Sequence, residues 1–306
     1  MRNITIDKYV QFTEHTQISG HIYELGANLN KASYENLTED DLEKITFGSL
    51  LKIMTVKRVY KYISFDNGLK YLIENNRLKF SSPDIFNDPF DCNPILFDID
   101  ISKQDMKEFL GKLPYNSATK KLIMKNFNKK NLIESLHYKR SNTRIYCFSE
   151  TNKDNLLWAH YGDYHRGLCI GFEFPIKYKD EFVLYPVNYS QELEIVKFKE
   201  DSNRVLYYWL TTKAPEWQYE KEIRAISINN QDYCTFDKSH IKEIVLGYKL
   251  PKYEKDKLID TLKKNGYSRD LEINRIDIDK TNLQLKIKKI GIPAPARVPS
   301  RGQAKR

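Results

Sequence analysis

The 306-residue chain lacks the sequence signals of several common protein classes. It has only four cysteines, and none forms a C-x-x-C pair or lies near a histidine at metal-ligand spacing, which argues against a structural zinc site. No apolar run approaches the length of a membrane span, and the opening "MRNITIDKYVQF" lacks the apolar core of a signal peptide. We therefore expect a reduced, soluble, cytoplasmic protein with no membrane partner and no metal.

The common nucleotide-binding motifs are also missing. The chain contains no Gly-x-Gly-x-x-Gly and no phosphate-binding loop with a lysine. No Gly-x-Ser-x-Gly surrounds Ser149, which argues against a nucleophilic serine at that position. Any nucleotide would have to be bound by a different arrangement.

Aromatic residues and positive charge are plentiful. The chain has 21 tyrosines, a residue favoured in clefts where one end is buried and the other is wet. The formal net charge is +9, of which the last ten residues, "RVPSRGQAKR", contribute four. This balance permits contact with nucleic acid or nucleotide phosphates without requiring it.

The order of apolar patterns predicts an α+β protein. Short strand-like runs such as "RVYKYIS", "RIYCFSE", "LCIGFEF" and "EIRAISI" are separated by helical patterns, and "LEINRIDIDKTNLQLKIKKI" alternates as a hairpin does. We expect small mixed or antiparallel sheets with inserted helices. The expected organisation is a helical extension at 1–57, a core at 58–250, a helix and hairpin packed on the core at 251–290, and a disordered tail at 291–306.

Residues 101–142 are rich in lysine and helical by pattern. A basic run of this kind is most simply a solvated helical face, and we favour that interpretation over a binding surface. The alternative, a surface for nucleic acid, stays open at this point.

The stretch "LLWAHYGDYHRG" is the densest group of polar and aromatic residues. One interpretation is a half-buried aromatic helix followed by a turn, which accounts for Trp158 and Tyr161 as well as a ligand site would. For His160, His165 and Arg166 we favour function, because polar groups at a sheet end usually meet a ligand or each other.

The loop "SPDIFNDPFDC" places four Asp or Asn residues within eight positions. Oxygen ligands of this kind suit hard cations, but the loop lacks the spacing and glycine of a calcium loop. We favour a series of turns in which side chains cap backbone amides, with Asn87 or Asp88 lining a cleft as the lesser alternative.

Two further stretches carry candidate polar groups. In "YCFSET", Thr151 is expected to cap the next helix, and Ser149 could hydrogen-bond an acidic residue on a neighbouring strand. In "EWQYEKEIRAI", Glu220 and Glu222 are two apart and would share one face of a strand. That strand is either a solvated edge with Arg224 also outward, or it holds two carboxylates over a substrate.

Three stretches together resemble a bacterial family, the domain of unknown function 2971 family. They are "FSSPDIFNDPFDC", "CFSETNKDNLLWAHYGDYHRGLCIGFE" and "WQYEKEIR", preceded by an aromatic strand like "VYKYIS". The resemblance covers about residues 58 to 248 and implies no activity by itself.

The order of "RVYKY", "CFSET" and "YEKEI" also resembles that of ADP-ribosyltransferases. This resemblance implies that Glu222 stabilises the oxocarbenium-like transition state, that Ser149 orients it, and that Glu220 positions the acceptor. It further implies an NAD site with Lys61 where a His or Arg is usual. The implied nicotinamide and pyrophosphate contacts come from Tyr60, Tyr62, Trp158, Tyr161, Arg166 and Arg224.

We therefore expect an NAD-dependent ADP-ribosyltransferase or NAD-cleaving enzyme, such as a toxin or anti-phage defence effector, with NAD as substrate and a protein or nucleic acid as acceptor. One alternative is a nucleic-acid-binding protein or a metal-independent nuclease that uses His160 and His165 as acid and base. Another is a non-catalytic module that binds a peptide or small ligand.

Overall fold

The computed structural model describes residues 56–93, 102–112, 114–126, 128–191 and 209–290. The tail expected at 291–306 lies outside these ranges, as does the extension expected at 1–57 apart from its last two residues.

The architecture is α+β, as the sequence predicts. The strands are β1 Val59–Ile63, β2 Arg77–Lys79, β3 Ile145–Ser149, β4 Leu168–Phe172, β5 Lys177–Tyr178, β6 Phe182–Pro186, β7 Asn188–Tyr189, β8 Thr212–Lys213, β9 Glu222–Ser227, β10 Tyr233–Thr235, β11 Ile241–Leu246, β12 Glu272–Ile278 and β13 Leu285–Lys289. Nine of them form one large mixed sheet, in the order β13-β12-β11-β4-β1-β3-β9-β6-β5, so the main sheet is larger than the small sheets we expected.

Six α-helices accompany the strands in the described ranges. They are α1 Phe65–Asn67, α2 Lys103–Lys112, α3 Ser117–Asn126, α4 Lys129–Asn142, α5 Asn155–His160 and α6 Lys252–Lys264. The first continues directly as a π-helix over Gly68–Glu74, and a 3-10 helix over Pro215–Glu220 precedes β9.

The central strands are buried on both faces, which explains why their sequences are continuous apolar runs. Every residue of β4, β6 and β9 is buried. One face carries a cluster of rings in which Phe148 packs edge-on to Phe172 at 5.6 Å and Phe174 packs edge-on to Phe182 at 5.4 Å. Edge-on pairs of this kind suit the ring quadrupoles.

The C-terminal elements belong to the same sheet as the core. Strand β12 runs parallel to β11, and β13 turns back beside β12 as the predicted hairpin does. Helix α6 buries Leu258, Ile259 and Leu262, which are spaced for one helical face.

The start of α5 corrects one expectation. Asp154, rather than Thr151, caps this helix, and its carboxylate accepts from the backbone N–H groups of Leu156 and Leu157. Asp is at least as good an N-cap as Thr, and Asp154 directly precedes the helix, so the expected cap lay three residues too early.

Candidate functional site

The large sheet opens between β1 and β3. These antiparallel neighbours pair at a single position, Tyr60 opposite Ser149. By contrast, β1 pairs with β4 at five positions and β3 pairs with β9 at five. Beyond Tyr60 the two strands separate, and the gap between them becomes a pocket.

The pocket has a volume of about 630 Å³, which lies in the range usual for small-molecule sites. Its walls come from the separated parts of β1 and β3, from the π-helix, from the loop after β2, and from the segment that leads into β9. Of the predicted site residues, the lining includes Tyr60, Lys61, Tyr62, Asn87, Ser149, Tyr161, Glu220 and Glu222.

A series of buried charged side chains forms one end of the pocket, and Arg224 is its innermost member. This fully buried guanidinium donates to both carboxylate oxygens of Asp91, at 2.8 and 2.6 Å. It also donates to both oxygens of Glu222, at 2.9 and 3.1 Å. Two bidentate pairs therefore fix its position from opposite sides.

The pair with Arg224 decides the charge of Glu222. Burial alone would raise the pKa of Glu222, but the Arg224 guanidinium and the Lys213 ammonium lower it to about 2. Glu222 is thus an ionised carboxylate whose oxygens are already occupied by two cations.

Lys213 joins Glu222 to Glu220. Its ammonium lies 3.3 Å from Glu222 Oε2 and 2.6 Å from Glu220 Oε2, and 4.7 Å from the centre of the Trp217 ring. Burial opposes the charge on Lys213, yet the surrounding carboxylates raise its pKa. Lys213 therefore stays protonated and neutralises part of the negative charge.

Glu220 is the outermost carboxylate of this series of buried charged side chains. Its Oε1 accepts a hydrogen bond of 2.7 Å from the hydroxyl of Tyr161, a side chain that is 39% exposed. Burial raises the pKa of Glu220, in contrast to Glu222. The two carboxylates thus differ in environment although they are two residues apart.

The local backbone corrects the prediction of a solvated edge strand. Glu220 ends the 3-10 helix, Lys221 has a left-handed φ of 45°, and β9 begins only at Glu222. Strand β9 lies between β3 and β6, so it is not an edge, and Glu222 and Arg224 point inward. Both glutamates reach Lys213 because the turn at Lys221 redirects the chain, not because one strand face carries them.

Ser149 makes a different hydrogen bond from the one expected. Its hydroxyl donates to the main-chain carbonyl of Glu220 at 2.6 Å and accepts from the Thr151 N–H at 3.2 Å. It therefore holds the backbone of the glutamate segment, and no side-chain bond from Ser149 to either carboxylate is present in the described residues.

Lys61 fills part of the gap between the separated strands. Its half-buried ammonium donates to the main-chain carbonyl of Cys147 at 2.9 Å and lies 4.5 Å from the centre of the Tyr146 ring. The carbonyl would otherwise lack a strand partner where the ladder opens. Burial lowers the pKa of Lys61.

Two more cations lie on the pocket lining, Arg77 and Lys79 of β2. Both are exposed, and within the described part of the chain neither is paired with a carboxylate. The Arg77 guanidinium lies 3.6 Å from the centre of the Tyr233 ring, which limits its motion. These two side chains are therefore available to an anionic ligand.

Five predicted residues do not line the pocket. Trp158 is fully buried and donates to the Asn152 carbonyl, and His160 contacts the Tyr219 hydroxyl at 3.3 Å. His165 stacks on Trp158, and Arg166 is exposed. The fifth is Arg224, which we expected to contact a pyrophosphate, but this side chain is fully buried and bound by Asp91 and Glu222.

The turn after α5 explains the position of His165. Three consecutive residues, Asp163, Tyr164 and His165, have left-handed φ values of 49°, 52° and 68°. A side-chain carbon at Gly167 would lie only 2.2 Å from the Ile63 carbonyl oxygen, so the chain passes β1 at very close range. These residues form the turn into β4, as the simpler interpretation of this stretch proposed.

The loop at 81–92 contains turns, as predicted, but one of its four Asp or Asn residues, Asp91, forms an ion pair that the prediction did not include. Asp88 accepts from the Phe90 N–H at 2.9 Å, and Asn87 lies 3.5 Å from the Tyr161 hydroxyl. Asp91 instead binds Arg224. Within the described ranges, no group of three or more His, Cys, Asp or Glu side chains is arranged to hold a metal ion.

Sequence reasoning did not assign four charged residues of the pocket lining to the site. Lys213 and Asp91 have only weak signals, a charged residue beside apolar stretches in "WLTTKA" and "PFDC". Arg77 and Lys79 flank the buried Leu78, and this period-two pattern marks them as one face of a strand.

The chain matches one family model. Residues 157–225 match the family described as "Protein of unknown function (DUF2971)". No curated protein and no solved structure matches the chain. In the described ranges no helix is both long and apolar enough to span a bilayer.

The matched segment runs from α5 into β9 and carries Tyr161, Glu220, Glu222 and Arg224. The motifs "VYKYIS" and "FSSPDIFNDPFDC" lie outside it, and none of these findings bears on the resemblance to ADP-ribosyltransferases, which stays a prediction. Over residues 157–225 the chain is thus confirmed as similar to the DUF2971 family of proteins of unknown function.

Proposed function

We propose that the pocket binds NAD and that the protein cleaves the bond between nicotinamide and ribose. The ADP-ribosyl group then passes to water or to a macromolecular acceptor. A toxin or a defence effector in the cytoplasm is the biological setting that we propose for this activity.

The two differently charged ends of the pocket carry the proposal. At one end, Asp91, Glu220 and Glu222 face Lys213 and Arg224, which leaves one net negative charge when all five groups are ionised. At the other end lie the unpaired cations described above. NAD has the same polarity, with a cationic nicotinamide ring and an anionic pyrophosphate.

The distance between the two ends also suits an extended dinucleotide. Ser149, at the end of β3, is opposite Glu222, and Ile145, at its start, bridges to Ser81 just after β2. A strand rises about 3.3 Å per residue, so the two ends lie roughly 13 Å apart along β3. The nicotinamide riboside would occupy the carboxylate end and the phosphates the end near β2.

The chemistry needs a negative charge close to the ribose. When the bond from nicotinamide to ribose C1 breaks, its electron pair leaves with nicotinamide, which becomes neutral, and positive charge develops on the ribose. Water or the acceptor then forms the new bond to C1 and loses a proton. A fixed carboxylate lowers the energy of that charge without having to reorganise.

We assign the contact with ribose to Glu220 rather than to Glu222. Both oxygens of Glu222 are bound by Arg224, and Lys213 is a further partner. Among the described residues, Glu220 Oε1 is bound only by the half-exposed Tyr161 hydroxyl, which a ribose hydroxyl can replace. Glu222 then acts as a positioning residue, because it holds Lys213 in place beside Glu220.

The proposal is tested by the release of nicotinamide from NAD by the purified full-length chain. We expect release by the wild type and a loss of about 10²–10³-fold in Glu220→Gln, the range measured when one electrostatic contact to a transition state is removed. Glu216→Gln is the matched control, because Glu216 lies in the same 3-10 helix but is exposed and outside the pocket. If NAD is bound but not cleaved, the protein is a binding module and not an enzyme. Full activity of Glu220→Gln would refute the assignment of the ribose contact to Glu220.

A further inference from the structure

An excess of positive over negative charge is concentrated in one helical segment. Residues 103–142 contain ten Lys or Arg and only three Asp or Glu, so this segment supplies +7 of the net +9. Three helices, α2, α3 and α4, make up this segment. The charge is therefore segregated, in contrast to a surface on which both signs alternate.

The cations of this segment are accessible. Lys107, Lys121, Lys125, Lys130 and Lys139 are all exposed. Among them the structure shows one ion pair, a loose contact of 3.8 Å between Lys130 and Glu134. A surface pair of this length contributes little, so the positive potential of the segment is not neutralised by its own acids.

Helix α3 has an exposed face that the fold does not use. No described side chain of this helix is buried, and Leu122 is 60% exposed. A short helix without a buried face gains little stability from packing. Such a helix is explained more simply by a surface that it presents than by a contribution to the core.

Exposed tyrosines accompany the lysines. Tyr115 is 49% exposed just before α3, and Tyr138 is 71% exposed on α4. Exposed aromatic rings between basic residues suit single-stranded nucleic acids, because unpaired bases stack on the rings while the lysines contact phosphates.

Arg140 connects this segment to the pocket. From the last turn of α4 its guanidinium donates to the main-chain carbonyls of Pro83 and Asp91, at 3.2 and 3.4 Å. The loop between those residues supplies Ile85, Phe86 and Asn87 to the pocket lining. The basic surface and the pocket wall are therefore parts of one continuous structure.

We propose that α2, α3 and α4 bind a single-stranded nucleic acid and that this nucleic acid is the acceptor of the ADP-ribosyl group. The role as acceptor rests on the proposed function, whereas the binding does not. In the transfer, a nucleophilic atom of the nucleic acid forms the bond to ribose C1 and gives up its proton, as water does in hydrolysis.

The composition of the surface favours nucleic acid over an anionic membrane. Helices that lie on membranes bury a stripe of large apolar side chains. Of the large apolar residues in α3, only Leu122 is largely exposed, and Ile123 and Met124 are half-buried. The exposed side chains of α4 include His137, Tyr138 and Lys139, which are polar or carry a polar tip.

The test is fluorescence anisotropy of a short labelled single-stranded RNA, titrated with the full-length chain at several salt concentrations. For a protein that contacts Z phosphates of a single strand, log affinity falls with log salt with a slope of about −0.7Z. Lys121→Gln/Lys125→Gln/Lys130→Gln should weaken binding and make the slope shallower by about two units. Lys252→Gln/Lys264→Gln/Lys288→Gln is the control, because it removes the same charge from exposed sites outside the segment.

Equal losses in the two triple variants would overturn the proposal, since binding would then follow net charge alone. It would also be overturned by binding to phosphatidylserine vesicles without binding to RNA. Nicotinamide release is measured in parallel. Selective loss of RNA binding with unchanged release supports the surface, whereas RNA binding without any release by the wild type would refute the proposed function and the acceptor role but not the surface.

Discussion

Two clusters of charged side chains lie on the same sheet, and of the two only the one around Arg224 contributes to the lining of the pocket described above. In the first cluster, Asp91 and Glu222 bind Arg224 and are almost completely buried. The series of charges continues through Lys213 and Glu220 to the pocket. Around Arg58, three glutamates from β11, β12 and the end of β4 converge on a guanidinium that is 16% exposed.

In the cluster around Arg58, side-chain amides bind the most buried carboxylate. Glu243, its most buried acid, also accepts from Asn274 at 2.6 Å and from Asn152 at 3.2 and 3.3 Å. Both of its oxygens are therefore bound by side chains of the described residues, which join β11 to Asn274 of β12 and to the loop residue Asn152. The comparison teaches that an arginine–glutamate pair alone does not indicate a site, whereas a pair that continues to a half-exposed hydroxyl in a pocket does.

The largest difference should appear in stability. Arg224→Met leaves Asp91 and Glu222 buried without their main partner, and we expect a loss of about 3–5 kcal/mol in the free energy of unfolding. Arg58→Met should cost less, because Glu173 and Glu272 are partly exposed and can be solvated. Urea unfolding of the two variants measures both values, and equal losses would contradict the distinction between the clusters.

The second-largest expected effect is on the pH dependence of the free energy of unfolding. Glu222 has a pKa lowered from 4.5 to about 2, so it stabilises the fold fully above about pH 4.5, and this contribution is lost as the pH falls toward 2. Urea unfolding at a series of pH values should therefore show a shallower acid loss in Glu222→Gln than in the wild type. Glu216→Gln, in the same segment, should keep the wild-type slope.

The smallest expected effect is on the KM for NAD, when a cation at the Arg77 and Lys79 end of the pocket is removed. If the pocket binds NAD as proposed, Arg77→Ala or Lys79→Ala removes a charged contact to phosphate, but neither variant changes the carboxylates or the core. We expect the KM for NAD to rise roughly tenfold with kcat nearly unchanged, since a charged hydrogen bond contributes about 1.5–3 kcal/mol. A fall in kcat at constant KM would place these side chains at the reacting bond instead.

The sequence was sufficient for the longer strands and for eight of the 24 residues that line the pocket. Continuous apolar runs and aromatic alternation identified β1, β3, β4 and β9, and the polar residues at their ends do line the gap. The pairing of Asp91 with Arg224 could not be predicted, because it joins residues 133 positions apart through a loop without a regular pattern.

Glu220 shows a second limit. Its spacing from Glu222 suggested one strand face, but a single left-handed residue, Lys221, places the two carboxylates in different elements. Their opposite pKa shifts follow from that turn and from which carboxylate Arg224 binds. Neither is encoded in the spacing of the residues.

The most direct test of the central claim is whether the carboxylate end recognises positive charge on the ring. Calorimetry would compare the oxidised and reduced forms of a carbocyclic NAD analogue, in which the ribose oxygen is replaced by methylene so that the bond is not cleaved. We expect the wild type to bind the oxidised, cationic form more tightly than the neutral dihydropyridine, and Glu220→Gln to remove most of this preference. Equal affinity for both forms in the wild type, or a preference that persists in Glu220→Gln, would contradict the central claim.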